Sequence, residues 1–263
     1  MSPSSVLLGV SLKMYFDHNR TRSWCTEVAE LARHHESVVS GAVTLVVLPG
    51  FTSLSTAMEI FSGTGVSVGA QDLFWEDRGA FTGEVSGADL ADIGCTFVEI
   101  GHAERRSLFG EGPAVLARKL GAAARNGLTP ILCVGEPTRG TPLEAAQACI
   151  EQLDAALNEI TPTDRGMPLV VAYEPEWAIG AAEPAQADYV AAVAVLLRDW
   201  LGTRLGEGNA RVIYGGSAGP GLLSELGGSV DGLFLGRFAH DATALGTILD
   251  EAAARSHQHA TLK

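Results

Sequence analysis

Short runs of consecutive apolar residues recur along the chain, separated by longer and more polar stretches. Most of these runs are apolar throughout rather than alternating with polar residues, which is typical of parallel strands covered on both faces. Eight runs have the length of a strand, namely residues 6–10, 43–48, 66–70, 97–100, 130–134, 169–173, 211–214 and 232–235. The pattern therefore predicts eight buried strands.

Helices are predicted between the strands. The clearest one opens at Pro184, a residue suited to the first helical turn, carries apolar residues on one face and ends at Gly202. Two others are predicted from about 142 to 160 and from about 113 to 126, the second ended by Gly127. Strand and helix thus alternate throughout the sequence.

This alternation predicts an α/β fold, and eight strand–helix units in about 250 residues match the size of a closed (β/α)8 barrel. No Ser- or Pro-rich linker divides the sequence, so residues 1–263 are predicted to form a single domain with a tail that frays from about residue 256. On the pattern alone, a doubly wound open sheet is the alternative.

Composition and charge exclude several kinds of partner. Lys and Arg total 18 and Asp and Glu total 31, so the formal net charge is −13, which argues against binding nucleic acid or an anionic membrane. The apolar stretch near the N-terminus is too short for a signal-peptide core or a membrane span, so a cytoplasmic protein is expected. The four cysteines form no CxxC pair, and His257 and His259 lie in the polar tail, so neither a metal nor a cofactor is predicted.

Candidate functional residues follow the strands directly. In a (β/α)8 barrel the loops after the carboxyl ends of the strands carry the active site. The residues found there are Ser11, Lys13, His102, Glu104, Glu174, the GGS segment 215–217, Gly236 and Arg237. Each of these taken singly is compatible with a structural or surface role, but together they bring a base, a second proton-handling group, a cation and Gly-rich loops to one rim.

This combination suits proton abstraction next to the carbonyl of a phosphorylated substrate. Glu174 would take a proton from carbon, His102 would serve the carbonyl and hydroxyl oxygens, and Lys13 would stabilise the charge of an enediolate. Backbone N–H groups around Ser217, Gly236 and Arg237, at the N-termini of the following helices, would hold the phosphate. A protein of charge −13 could then bind an anion with few basic side chains.

The segment after Glu174, PEWAIGAAEP, has the features of a mobile lid. Pro175 would stiffen one hinge, Trp177 would pack on closure, Gly180 would let the tip bend, and two small residues at 181–182 would form the far hinge. Closure would exclude water and protect an enediolate that otherwise eliminates phosphate. The remaining predicted lid residues are Glu176, Ala178 and Ile179.

The sequence resembles the triosephosphate isomerase family along essentially its whole length. Four segments carry the resemblance: AYEPEWAIG (172–180), GHAERR (101–106), GAFTGEVS (79–86) and YGGS (214–217). The resemblance implies a TIM barrel with Glu174 as the base and a neutral His102. It also implies that Lys13 is an electrophile supported by Glu104.

The resemblance further implies a latch and a dimer. Tyr214 and Ser217 would latch the closed lid, and Thr82 would reach across a homodimer interface toward the neighbour's Lys13. The chain departs from the family's usual residues at several positions. Ser11 replaces an asparagine, Leu12 a tryptophan, Tyr15 an asparagine, Glu176 a valine and Arg237 a glycine, and residues 181–183 replace Thr-Gly-Lys.

Ser11 bears on the substrate. A shorter side chain at the pocket wall leaves room for about one extra hydroxymethyl group and keeps a hydroxyl to bond it. The SLKMYF start and the GRF loop (236–238) are also similar to the tetrulose-phosphate isomerase branch of the family. We therefore expect conversion of L-erythrulose 1-phosphate to D-erythrulose 4-phosphate in the catabolism of erythritol or threitol.

Two alternatives stay open at this point. The first is a triosephosphate isomerase proper, and the second is a catalytically silent barrel that binds a sugar phosphate. The role of Arg237 is also open: it could contact the phosphate, pair with Asp231 or Asp241, or face solvent.

Overall fold

Eight parallel strands close into one barrel in which each strand pairs with the next and β8 pairs with β1. The computed structural model describes residues 5–158, 168–180 and 185–261. The strands are β1 (Val6–Ser11), β2 (Val43–Leu48), β3 (Ser67–Ala70), β4 (Phe97–Ile100), β5 (Thr129–Val134), β6 (Leu169–Tyr173), β7 (Ala210–Tyr214) and β8 (Gly232–Leu235). The predicted (β/α)8 TIM barrel is confirmed, and every strand lies within one residue of its predicted bounds.

Both faces of the strands are buried, which explains the unbroken apolar runs. Along β1, Leu7 belongs to the cluster inside the barrel, whereas Leu8 and Val10 pack in the larger core beneath the helices. Gly9 also faces inward, and a Cβ there would stand 2.6 Å from the Phe234 ring. The interior cluster consists of Leu7, Val46, Leu48, Phe97, Ile131, Cys133, Val170, Ala172, Ile213 and Phe234.

Helices alternate with the strands in the described part of the chain. They are α1 (His18–His34), α2 (Glu36–Val39), α3 (Leu54–Phe61), α4 (Gly87–Asp92), α5 (Ala103–Phe109), α6 (Pro113–Arg125), α7 (Pro142–Leu157), α8 (Ala187–Leu205), α9 (Leu222–Leu226) and α10 (Ala242–Thr261). Short 3-10 helices cover Phe51–Ser53, Glu176–Ala178, Gly227–Ser229 and Arg237–His240. Among the described residues, no helix has both the length and the apolarity needed to cross a bilayer.

Local signals place the starts of two predicted helices. The helices α6 and α7 begin at the predicted prolines, and Thr141 forms a capping box with Glu144 ahead of α7. Ile160, the predicted end of α7, lies outside the described residues, as does Pro184, the predicted start of α8.

The helix ends differ more from the prediction. Gly202 does not end α8, because its carbonyl accepts a helical hydrogen bond from Gly206 N–H at 2.9 Å; the helix stops at Leu205, where Gly206 takes a φ of +89°. The last helix runs to Thr261, beyond the point near residue 256 where a frayed tail was predicted, and Ser256 Oγ ties it to the carbonyl of Ala42 at 2.9 Å. Residues 262–263 and the side chains of His257 and His259 lie outside the described part.

Candidate active site

A cavity of about 720 Å³ lies at the carboxyl ends of the strands. Predicted site residues that line it are Ser11, Lys13, His102, Glu104, Glu174, Ile179, Gly180, Ser217, Gly236 and Arg237. It is also lined by Tyr15, Gly215, Ala218, Phe234, Leu235 and Phe238. Predicted residues outside this lining are Pro175, Glu176, Trp177, Ala178, Tyr214 and Thr82.

Glu174 is placed by the backbone ladder at the end of β6. Its N–H donates to Val134 O at 2.8 Å on β5, and its side chain is buried under the cavity floor with 4% of the residue exposed. A Cβ on Gly215 would stand 2.6 Å from Glu174 Oε1, so any larger residue there would collide with the carboxyl group. The first glycine of the GGS segment therefore makes the space that the candidate base occupies.

Burial raises the pKa of Glu174 to about 7, against the opposing influence of Lys13, the Cys133 thiol and Arg106. Glu174 Oε2 accepts no hydrogen bond from the described residues and lies 3.6 Å from His102 Nε2. An unbonded carboxylate oxygen that ionises near neutrality is suited to accept a proton from a ligand.

His102 precedes helix α5, and its ring is fixed by the backbone. The N–H of Glu104 donates to His102 Nδ1 at 3.1 Å, so a neutral ring carries its proton on Nε2, the nitrogen that faces Glu174. Burial, followed by the charge of Lys13, lowers the pKa of His102 to about 4. The imidazole is therefore neutral at physiological pH and offers an N–H to the cavity.

Lys13 sits two residues beyond β1 with a φ of +48°, a conformation that side chains other than glycine seldom adopt. Its ammonium group donates to Glu104 Oε1 at 2.8 Å. Burial lowers the pKa of Lys13, but the hydrogen bond and charge of Glu104, helped by Glu174 and Glu99, outweigh it and raise the pKa above its ordinary value. The cavity thus holds a permanent cation.

Ser11 ends β1 and is 3% exposed. Its hydroxyl donates to Glu99 Oε2 at 2.9 Å, across the barrel interior. Glu99 was missed by the sequence analysis, because a single polar residue inside the run FVEI gives no sign of which distant side chain it meets.

Glu136 was also missed, and it holds the first part of the predicted lid. Its Oε1 accepts from Trp177 Nε1 at 2.8 Å, Tyr189 OH at 3.0 Å and Tyr173 OH at 3.1 Å. The carbonyl of Glu136 also accepts from the N–H of Glu176 at 3.0 Å. In this conformation the bulky Trp177 is anchored to the loop after β5 rather than to the cavity.

Glu176, one of the departures from the family pattern, pairs with Arg106 at 3.3 Å. Arg106 Nη1 also donates to Gln152 Oε1 at 2.8 Å, so the lid is tied to α5 and α7. Arg106 belongs to the GHAERR segment, but the sequence gives no signal that it meets the lid.

Three contacts tie the predicted lid and the residue after it to the end of β7 and to the loops after β7 and β8. Ser217 Oγ donates to Ala178 O at 3.0 Å, and Arg237 Nη2 donates to Gly180 O at 3.2 Å. Beyond residues 181–184, which lie outside the described part, Ala185 N–H donates to Tyr214 OH at 3.2 Å. Several roles were left open for Arg237. In the structure its side chain lines the cavity and donates a hydrogen bond to the predicted lid.

The helix N-termini expected at the phosphate loops are only partly present. The helix after β7 begins at Leu222, so Ser217 lies before its first turn, with a φ of +31°. After β8, Gly236 directly precedes a short 3-10 helix. The reason is local, since Gly219, Pro220 and Gly221 interrupt the chain between Ser217 and α9.

Thr82 lies in an exposed turn after β3, away from the cavity lining. Within the described residues, no group of three or more His, Cys, Asp or Glu side chains is arranged to hold a metal ion. The four cysteines are buried free thiols.

Comparison with known proteins agrees with this geometry. The family model of triosephosphate isomerase matches residues 6–252. L-erythrulose-1-phosphate isomerase of Pectobacterium atrosepticum is 52% identical over 258 residues, which cover 98% of this chain and 100% of that protein. A protein of the same name from Rhizobium rhizogenes is 36% identical over 256 residues, covering 94% of this chain and 95% of that protein. Triosephosphate isomerase of Moorella thermoacetica is 44% identical over 214 residues, covering 78% and 84%. The resemblance is confirmed, and the chain belongs to the triosephosphate isomerase family.

Proposed function

We propose that this protein is a sugar-phosphate isomerase that converts L-erythrulose 1-phosphate to D-erythrulose 4-phosphate through an enediolate. The observation that carries the proposal is the meeting of Glu174, His102 and Lys13 around one cavity, with an unbonded carboxylate oxygen 3.6 Å from a neutral imidazole. This is the set of groups that a proton transfer between adjacent carbons requires.

The reaction begins with removal of a proton from C3, the hydroxyl-bearing carbon next to the C2 carbonyl. The C–H electrons form a C2–C3 double bond, the C2 carbonyl electrons move to its oxygen, and Glu174 holds the proton. Lys13 and the Nε2–H of His102 stabilise the negative oxygen. Because His102 is neutral, it acts as a hydrogen-bond donor that exchanges protons between the two oxygens.

Return of the proton to C2 completes the reaction. Glu174 protonates C2, the C3 oxygen becomes the carbonyl, and the double bond is lost. The new carbonyl reverses the numbering of the chain, so the phosphate is now on C4 and the product is D-erythrulose 4-phosphate. Nothing is oxidised or reduced overall, so the side chains suffice without a redox partner.

The phosphate is assigned to the loops after β7 and β8. Ser217, Gly236 and Arg237 line the same cavity as the three catalytic candidates. Backbone N–H groups and one guanidinium there attract a dianion locally, even though the whole chain has a charge of −13. The lid from Pro175 onward would close over this group and exclude water.

The preference for a four-carbon substrate rests on Ser11. Its short side chain lies at the cavity wall and leaves room for one more hydroxymethyl group than a larger residue would. The relatives named L-erythrulose-1-phosphate isomerase support this choice. The relatives named triosephosphate isomerase support the three-carbon alternative, in which dihydroxyacetone phosphate is the substrate.

Product identification by NMR tests the reaction. Purified protein is incubated with L-erythrulose 1-phosphate, and appearance of D-erythrulose 4-phosphate is expected. Glu174→Gln serves as the control and is expected to bind the sugar phosphate without converting it. Binding without conversion by the unaltered protein would instead identify the silent barrel.

The working molecule is proposed to be a homodimer of single-domain barrels in the cytoplasm. Several exposed apolar side chains occur on the loops after β1 and β3 and on α5, which follows β4: Met14, Phe81, Leu108 and Phe109. Thr82 lies in the exposed turn among them and is proposed to approach the neighbour's Lys13. A second copy would cover this surface.

A further inference from the structure

Glu99 is a carboxyl group placed among apolar side chains inside the barrel. It lies on β4 beside Ile131 of β5, on the inward face that also carries Phe97, and it is 3% exposed. Burying a carboxyl group costs free energy unless it finds hydrogen-bonding partners. An apolar residue would fill this position without that cost in free energy. The polar contact of Glu99 therefore points to a role beyond packing.

That contact is with Ser11. Among the described residues, Ser11 Oγ is the group that donates a hydrogen bond to the Glu99 side chain, at 2.9 Å. A serine hydroxyl has one hydrogen and two acceptor lone pairs. Because Glu99 takes the hydrogen, Ser11 turns its lone pairs toward the cavity that it lines. Ser11 is then an acceptor, ready for a hydroxyl that donates.

The charges around Glu99 keep this arrangement compatible with catalysis. Burial, and next the charge of Glu174, raise the pKa of Glu99 to about 8, while Ser11 and Lys13 oppose the rise and Glu104 adds to it. Glu99 is therefore mostly uncharged near neutral pH. An uncharged Glu99 keeps one carbonyl oxygen; the hydrogen bond from Ser11 assigns that oxygen to Oε2 and the proton to Oε1. The Lys13 ammonium is left to Glu104 and the substrate.

We propose that Glu99 is a positioning residue that orients the Ser11 hydroxyl as an acceptor for the terminal hydroxymethyl group of a tetrulose phosphate, and so selects four-carbon over three-carbon substrates. This inference rests on the proposed function, because it assigns the specificity of the same site. Glu99 acts through Ser11 and does not touch the reacting carbons. In dihydroxyacetone phosphate the hydroxymethyl carbon is itself the reacting carbon, so the triose phosphate has no further hydroxymethyl group beyond that carbon to donate to Ser11.

The test compares kcat and KM for L-erythrulose 1-phosphate and dihydroxyacetone phosphate in three variants. Glu99→Met keeps the length of the side chain and removes its acceptor, whereas Glu99→Gln keeps a carbonyl oxygen. Ile131→Val is the matched control, since it loosens the packing beside Glu99 without changing a polar group.

Glu99→Met is expected to lower the tetrulose-to-triose ratio of kcat/KM by about ten- to a hundredfold, the effect of one buried hydrogen bond to substrate, mainly through a higher KM for the tetrulose. Glu99→Gln and Ile131→Val are expected to keep the ratio of the unaltered protein. An unchanged ratio in Glu99→Met, an equal loss for both substrates, or a loss in Glu99→Gln as large as in Glu99→Met would overturn the proposal.

The substrate preference of the unaltered protein distinguishes a failure of this inference from a failure of the proposed function. If it shows no preference for the tetrulose, the proposed substrate fails before any variant is made. If Glu99→Met does not fold, an analogue of the tetrulose phosphate with a terminal methyl group replaces it as the probe. The unaltered protein should turn this analogue over about ten- to a hundredfold less efficiently, and equal turnover would overturn the proposal.

Discussion

Two buried carboxyl groups, Glu174 and Glu99, both have a raised pKa but differ in their hydrogen-bond partners. The pKa of Glu174 is about 7 and that of Glu99 about 8, each raised first by burial. Glu174 Oε2 accepts no hydrogen bond from the described residues, whereas Glu99 Oε2 accepts from Ser11 inside the barrel. Because the charge of Glu174 also raises the pKa of Glu99, ionising the base helps to keep the second group neutral.

The pH dependence of kcat/KM should report Glu174. A base must be ionised to act, so kcat/KM is expected to fall about tenfold per pH unit once the pH drops below about 7. Titration of His102 does not cause this fall in kcat/KM, because the pKa of His102 is lowered to about 4. Rates measured from acid to mildly alkaline pH check the prediction. A kcat/KM that stays level well below pH 7 would contradict the assignment of Glu174.

Glu99 should make the fold less stable as the pH rises. Between its ordinary pKa of 4.5 and about 8, the folded protein keeps a proton on Glu99 that the unfolded chain has released. The free energy of unfolding therefore falls across this window through Glu99, and Glu99→Gln removes that contribution. The variant is expected to gain stability relative to the unaltered protein as the pH rises.

Urea unfolding at about pH 5 and about pH 8 measures this difference. The groups that face Glu99 are Ser11, Lys13, Glu174 and Glu104, and the variant retains all four. The variant's relative stability should be greater at the higher pH. A difference that is the same at both pH values would show that Glu99 has an ordinary pKa in the folded protein.

Gly215 should be required for the position of the base. In Gly215→Ala the new methyl group would stand 2.6 Å from the Glu174 carboxyl and displace it. A displacement of about 1 Å is expected to lower kcat about a hundredfold. Gly228→Ala is the matched control, because a Cβ at Gly228 meets nothing within 4 Å. Similar kcat values for the two variants would contradict the proposed geometry.

Some site residues could be predicted from the sequence and others could not. Glu174 directly follows β6, and Lys13 and His102 lie two residues beyond β1 and β4, so the barrel pattern brings all three to one rim. Glu99 and Glu136 have partners that are 88 and 41 residues away in the chain, Ser11 and Trp177. Local spacing carries no information on such contacts, which depend on how the strands pair.

At the scale of elements, the lid is held by hydrogen bonds at both ends. Trp177 is bound to Glu136, Ala178 O accepts from Ser217, and Ala185 N–H donates to Tyr214 OH. Hydrogen bonds of this kind contribute about 1 to 3 kcal/mol each, and the proposed lid would exchange them for other contacts when a ligand binds. Trp177 also packs against the hydrophobic core, so opening the proposed lid would release apolar as well as polar contacts.

Tyr214→Phe should loosen the far end of the lid. The change leaves Ala185 N–H without its phenolic acceptor and keeps the ring in the core. An enediolate exposed to water eliminates phosphate, so the inorganic phosphate released per turnover is expected to rise severalfold. The measurement follows phosphate and product together. A variant that releases no more phosphate than the unaltered protein would contradict this role of Tyr214.

The strands were easier to predict than the helix ends. Burial on both faces leaves an unbroken apolar run, which marks β1 to β8 to within one residue. The end of α8 was wrong because Gly202 still accepts a helical hydrogen bond, and only Gly206 takes the left-handed conformation. Which of two glycines adopts a positive φ depends on packing that the local sequence does not reveal.

At the scale of the whole molecule, the exposed apolar side chains at the cavity end of the barrel are proposed to form a homodimer interface. Leu108 is 74% exposed near the end of α5, the helix whose N-cap is His102 and whose first turn carries Glu104. Leu108→Glu is expected to split the proposed homodimer, lowering the mass from twice 27.5 kDa, and to reduce activity. Light scattering and rate measurements check both effects.

Val39→Glu is the control for this change. Val39 is also an exposed apolar residue, 65% exposed, but it lies on α2, which precedes β2 at the opposite end of the barrel. It is expected to leave both mass and activity unchanged. A monomeric mass for the unaltered protein would contradict the homodimer.

We propose that this barrel isomerises a four-carbon ketose phosphate. The most direct measurement is kcat/KM of the unaltered protein on L-erythrulose 1-phosphate beside dihydroxyacetone phosphate under identical conditions. The structure predicts a strong preference for the tetrulose phosphate, since Ser11 leaves room at the cavity wall and Glu99 fixes its hydroxyl. Efficient turnover of dihydroxyacetone phosphate without turnover of the tetrulose phosphate would contradict the claim.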